Sequence, residues 1–287
     1  MIMKYKKNYK GSGILQFKKV HFLSFFVVVL VLAVILLPGI MAFKSRIENV
    51  RTSYRPVCDP IIFVPGSHAT INRFNEFLSQ LNKSSENTHS ILRIEILTKH
   101  HFLFHGAIHK GDYQPFIVIG FKNNRDGFAN MSRQAKLLSD ALKMLEENYR
   151  FKHFSAVGHS NGGIIWTLMF EQNDLMKTHV RVTKLVTIGS PFNLEENNPK
   201  IKTKLYRDMY SNRYSLPETL CVYSIVGAET LNSDGVVPIT SVTNGRYIFQ
   251  KQVSGFTQIL ITGQNTEHSD LLKNVQVELL VHQFLLN

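Results

Sequence analysis

Two cysteines, Cys58 and Cys221, in 287 residues are too few for a disulfide framework or a cysteine-built metal centre to organise this chain. There is one tryptophan, and no internal repeat or low-complexity tract is visible, so solenoid and fibrous architectures are set aside. Hydrophobic residues make up 44%, enough at this length to bury a full core, and one large α/β domain is the default expectation. The formal charge of +12 does not mark a nucleic-acid partner. Residues 1–50 hold eight Lys/Arg against one acid, Glu48, which leaves +5 for the rest of the chain. The basicity is largely a tail.

What the chain does have is an uncharged run from Phe22 to Phe43. A helix needs about 20 apolar residues to cross a bilayer core. Lys4, Lys6, Lys7, Lys10, Lys18 and Lys19 precede the run and only Lys44 and Arg46 closely follow, so the N-terminus is expected to stay cytoplasmic. The expected organisation is a basic cytoplasmic tail (1–19), a transmembrane signal anchor (20–43) and a polar stalk (44–56). An extracytoplasmic domain (57–287) then follows, with the cell membrane as partner through 20–43. The alternative is secretion after signal cleavage. The run exceeds a usual signal-peptide core of ~7–15 residues, and Ile40-Met41-Ala42 is a poor cleavage site.

Short apolar runs alternate with amphipathic ones beyond the stalk. Strands are expected at Pro60–Gly66, Pro115–Phe121, Lys184–Gly189 and Cys221–Gly227, with a hairpin over Ile91–Leu97 and His101–Ile108. A final pair of strands is expected at about Tyr247–Val253 and Gln258–Thr262. Helices are expected from a cap at Thr70 or Asn72 through Leu81, over Met131–Tyr149, and at the C-terminus through Leu279/Leu280. This alternation predicts an α/β class with a mainly parallel sheet, whose ligands sit beyond the carboxyl ends of the strands. In that order Cys58 and Cys221 begin strands three places apart, about 14 Å at ~4.8 Å per strand, beyond disulfide reach.

The chemistry centres on His153-Phe-Ser-Ala-Val-Gly158-His159-Ser160-Asn161-Gly162-Gly163, a buried strand leading through G-x-S-x-G into a helix. A serine on so sharp a turn needs neighbours without bulk, which the glycines supply. Its hydroxyl is a poor nucleophile until a base removes the proton, and the base needs a carboxylate to fix its tautomer. His268 follows the last strand and is the base candidate, whereas His282 lies mid-helix among leucines. Asp234, in Ser233-Asp-Gly-Val-Val-Pro238 after the Cys221 strand, is the acid candidate; Glu229, Glu195 and Glu196 are alternatives. An oxyanion needs two backbone N–H groups, expected from Asn161 and from Ser67 in the Pro65-Gly66-Ser67-His68 loop, with His68 as the alternative donor.

Phe63-Val-Pro-Gly-Ser67, Gly158-His-Ser-Asn-Gly-Gly163, Thr187-Ile-Gly-Ser-Pro191, Ser233-Asp-Gly-Val-Val-Pro238 and Glu267-His-Ser269 together resemble the α/β-hydrolase superfamily. More narrowly, residues 57–285 are similar to membrane-anchored, lipase-like cell-surface hydrolases of Gram-positive bacteria. The resemblance implies Ser160, Asp234 and His268 as a catalytic triad and a serine esterase that needs neither cofactor nor metal. Its substrate is an ester whose identity the family does not supply. Lipases commonly carry His-Gly where this chain has Pro65-Gly66. Two other readings stay open: an acyltransferase acting on a wall or lipid acceptor, and a non-catalytic surface interaction module. His100, His101, His105 and His109 cluster in the expected hairpin, where spacing of four does not bring ligands together. Segment 190–219, short and charged, holds the usual position of a hydrolase cap.

Overall fold

The computed structural model describes residues 58–172 and 180–286, which belong to one compact unit beginning at Pro56. The expected tail, anchor and stalk all lie outside the described residues. Among the described residues no helix is long and apolar enough to cross a membrane.

Eight strands form one sheet: β1 (Ile61–Val64), β2 (Ile91–Thr98), β3 (His101–Gly106), β4 (Phe116–Phe121), β5 (His153–His159), β6 (Arg181–Ile188), β7 (Cys221–Ala228) and β8 (Gly255–Thr262). Their order is β3-β2-β4-β1-β5-β6-β7-β8; only the β2–β3 pair is antiparallel. Parallel strands covered on both faces read as unbroken apolar runs, which is why β1 (Ile-Ile-Phe-Val) and β4 are buried throughout.

Period-two alternation divides these side chains between two cores. Ile62 and Val64 join Ile117 and Ile119 under α2 (Phe128–Tyr149), α3 (Asn161–Glu171) and α4 (Lys204–Asn212). Ile61 and Phe63 join Phe116 and Val118 on the opposite face, under α1 (Asn75–Ser84) and α7 (Val275–Leu285). Both cores, among the described residues, lie within the compact unit Pro56–Asn287.

Two sequence expectations are corrected. The helix expected from Thr70 or Asn72 begins at Asn75; residues 71–74 are turns, and the Thr70 hydroxyl accepts from Asn72 N–H rather than capping α1. The strand expected at Tyr247–Val253 is instead the short helix α6 (Gly245–Phe249), which follows α5 (Ile239–Thr243). Tyr-Ile-Phe has strand propensity, but Phe249 packs edge-on against Phe192, their ring centroids 5.4 Å apart. A Cβ at Gly245 would lie 2.7 Å from the Phe192 ring, so this close helical approach depends on glycine. One strand, β8, remains of the expected pair. Cys58 and Cys221 are free, with β5 and β6 between β1 and β7.

Candidate active site

Ser160 stands between β5 and α3 with φ 55° and ψ −132°, a left-handed φ that a side-chain-bearing residue adopts only under constraint. Its N–H donates to Ile188 O on β6 (2.8 Å), and its carbonyl accepts from Gly163 N–H (3.1 Å). A Cβ at Gly162 would overlap the Val64 carbonyl, and one at Gly66 would lie 2.6 Å from Ser160 Cβ. The turn is therefore held by close backbone packing between the ends of β1 and β5.

Three of the predicted side chains meet there. Ser160 Oγ lies 2.9 Å from His268 Nε2, and His268 Nδ1 lies 2.7 Å from Asp234 Oδ2. Asp234 is 0% exposed and His268 8%. The carboxylate is also shaped by its own loop: Oδ1 accepts from Val236 N–H (3.1 Å) and Val237 N–H (2.6 Å). His268 N–H donates to the Asp234 carbonyl (2.8 Å), so main chain as well as side chain joins the two loops. Gly189, at φ 58°, passes beneath the pair, its missing Cβ 3.3 Å from both Asp234 Oδ2 and His268 Cε1. Glu195 borders the cavity around Ser160, whereas Asp234 is the carboxylate on His268. His282 lies in the last turn of α7.

The two loops expected to stabilise an oxyanion also converge. The N–H groups of Ser67 and Asn161 have no protein acceptor among the described residues. The N–H of His68, the alternative donor, is committed to Asn124 O at 2.7 Å. The Asn161 side chain spans the two loops: Nδ2 donates to Ser67 Oγ (2.8 Å) and Asp126 Oδ1 (2.6 Å).

Three supporting residues escaped the sequence reading. Asp126 follows β4 and holds Asn161. His159, the variable position of the G-x-S-x-G pattern, donates from Nε2 to the His268 carbonyl (3.0 Å). Burial first, then the neighbouring His268 and Arg73, holds its imidazole down at about 3, so it is neutral at ordinary pH. Arg73 Nη2 donates to the Ser269 carbonyl, one residue further on. Proximity to Ser160 in sequence was the only signal for His159; Arg73 lies in a turn and Asp126 in a loop, with no motif of their own.

A cavity of about 880 Å³ opens over Ser160. Met131, Pro191, Leu194 and Val237 give it apolar lining, while Thr70, Asn72, Arg73 and Ser269 supply polar groups. Segment 190–219 contributes Pro191, Leu194 and Glu195 to this lining, while its helix α4 packs on α3.

A mostly parallel eight-stranded sheet flanked by helices, with a serine on a strained turn after the central strand β5, is the α/β-hydrolase fold. The chain belongs to the family of alpha/beta hydrolases of unknown function designated DUF915, whose model matches residues 49–287. It is similar to a solved protein of Lactobacillus plantarum WCFS1 provisionally named a cell surface hydrolase. That likeness has 47% identity and a TM-score of 0.74 over 80% of this chain and 92% of the other. It is also similar to a solved gene product of Listeria innocua, with 26% identity and a TM-score of 0.72 over 79% and 93% of the two chains. No curated protein matches it.

Proposed function

We propose that this α/β hydrolase is a serine esterase, lipase-like in chemistry, held at the outer face of the cell membrane by residues 20–43. The observation that carries the reading is the continuous contact from Ser160 Oγ through His268 to buried Asp234 at the edge of an open cavity. His268 Nε2 takes the Ser160 proton as Oγ attacks the ester carbonyl carbon. The oxyanion that forms is met by the free N–H groups of Ser67 and Asn161, and Asp234 steadies the imidazolium. His268 then protonates the departing alkoxide, leaving an acyl-Ser160. A water deprotonated by His268 attacks that acyl group; the bond to Ser160 then breaks, His268 returns the proton to Oγ, and the acid leaves.

Apolar lining on part of the cavity suits an acyl group, and polar groups elsewhere suit the alcohol half. The surface location draws support from the provisional name of the L. plantarum relative. Incubation with a fluorophosphonate probe tests the chemistry: wild type is expected to label and Ser160→Ala to stay unlabelled. Equal labelling of both proteins, or none of wild type, rejects the reading. A series of p-nitrophenyl esters of increasing chain length then sets the acyl preference.

A further inference from the structure

Residues 51–287 carry a net charge of +5, and two short segments more than account for it. Residues 200–215 hold Lys200, Lys202, Lys204, Arg207 and Arg213 against one acid, Asp208; residues 244–251 add Arg246 and Lys251 with no acid. Those segments sum to +6, so the remainder of this part is slightly negative. The fold brings them together. Helices α4 and α6 pack on one another, and Lys202 Nζ donates to Asn244 Oδ1 at 2.8 Å.

α4 is amphipathic: Leu205, Tyr206 and Met209 are buried, which turns its cations outward. Lys200, Lys204, Arg207, Arg246 and Lys251 are all exposed. Among the described residues none of the seven cations pairs with a carboxylate within 4.0 Å. A single-sign cluster repels itself and is weakly destabilising, so its concentration on one face calls for an anionic counterpart.

Tyrosines interleave the charges and narrow the choice of counterpart. The Arg213 guanidinium carbon lies 3.7 Å from the Tyr210 ring centroid and 4.3 Å from that of Tyr214, and Arg246 lies 4.6 Å from that of Tyr247. Tyr210 is also stacked on Tyr206. Ring faces already engaged by guanidinium groups and by each other are poor platforms for sugars or bases, which bind aromatic surfaces by stacking. What the face offers is exposed cations interleaved with tyrosine hydroxyls, Arg213 donating to that of Tyr214 and Arg246 to that of Tyr247, the composition that meets phosphate headgroups at a bilayer surface.

We propose that the α4–α6 face docks the folded domain onto an anionic lipid surface, independently of any transmembrane anchor and of the chemistry at Ser160. The docked face is continuous with the cavity wall. Asn193, next to cavity residue Leu194, donates from Nδ2 to Ile201 O and accepts from Thr203 N–H, both at 2.9 Å. Contact at α4 therefore sets where the cavity mouth lies relative to the lipid.

Vesicle co-sedimentation of the compact unit, residues 56–287, tests the proposal. The unit is expected to pellet with phosphatidylcholine vesicles containing about 30% phosphatidylglycerol and not with pure phosphatidylcholine, and about 0.5 M salt is expected to release it. Lys204→Glu/Arg207→Glu/Lys251→Glu should lower the partition coefficient at least about tenfold while the melting midpoint stays at the wild-type value. If that variant melts early, the corresponding triple Gln variant decides by the same loss. Equal pelleting with both vesicle types, binding unchanged in the variants, or displacement from vesicles by equimolar soluble polyphosphate overturns the proposal.

Discussion

His159 Nε2 lies 3.0 Å from the main-chain oxygen of His268, and the two imidazoles sit with centroids 5.1 Å apart. A carbonyl oxygen can only accept, so Nε2 carries the proton and the ring is the neutral Nε2–H tautomer. The residue beside Ser160 thus holds the loop that carries the histidine facing it.

His159→Leu removes that donor. A net hydrogen bond is worth ~0.5–1.5 kcal/mol, so kcat is expected to drop roughly 2–10-fold with KM little changed. His159→Gln, whose amide can reach the same carbonyl, should recover most of the loss. Because His159 gains its proton only near pH 3, the Gln variant should keep the wild-type pH–rate profile. Steady-state kinetics on a p-nitrophenyl ester across pH would check both statements, and a displaced profile would assign His159 a titrating role instead.

Asn161→Ala keeps the backbone N–H while losing the side chain that ties Ser67 to Asp126. If that tie sets the spacing of the two oxyanion donors, kcat should fall by up to ~10², with Asp126→Ala giving a similar loss. The double variant should be no worse than either single one. Additive losses in this cycle would show that the two residues act separately.

Gly66→Ala would place a methyl 2.6 Å from Ser160 Cβ and 3.1 Å from its hydroxyl. Fluorophosphonate labelling is expected to slow by on the order of 10² or more, since the methyl must displace the serine it touches. Labelling at the wild-type rate would mean that the β1 loop yields more readily than its packing implies.

Glu171, at the end of α3, is buried with neither carboxylate oxygen hydrogen-bonded among the described residues. Burial, reinforced by Asp208, raises its carboxyl to about 9. Between the ordinary carboxyl range and pH 9 the unfolded chain is ionised at this residue while the folded chain holds the proton. Its contribution to stability is therefore fully present at low pH and is lost as pH rises to 9, at most ~1.4 kcal/mol per pH unit. Glu171→Gln should melt above wild type at pH 8 and converge with it near pH 4. Thermal melts across that range measure the slope, and parallel curves for the two proteins would contradict the assignment.

Much of this molecule could be read from its sequence because its strongest signals are local. The apolar runs of β1 and β4, the glycines around Ser160, and Asp234 and His268 at later strand ends each announce themselves within about ten residues. What escaped reading depends on contacts between distant segments. Asp126 meets Asn161 across 35 positions and Arg73 meets Ser269 across 196, and neither pairing leaves a trace in spacing. The helix over Tyr247–Phe249 was hidden for the same reason: Phe192, far upstream, overrides its local strand propensity.

β8 is one of the two edge strands of the sheet, and the loop bearing His268 leaves from its end. Fraying on warming begins at such margins, where His268 is sewn to Asp234 by N–H···O=C and by the imidazole–carboxylate contact. Early loosening therefore draws the imidazole away from the serine hydroxyl while Asp234 stays on the loop after the interior strand β7. Heat should silence the protein several degrees before it melts, and cooling should restore it without refolding.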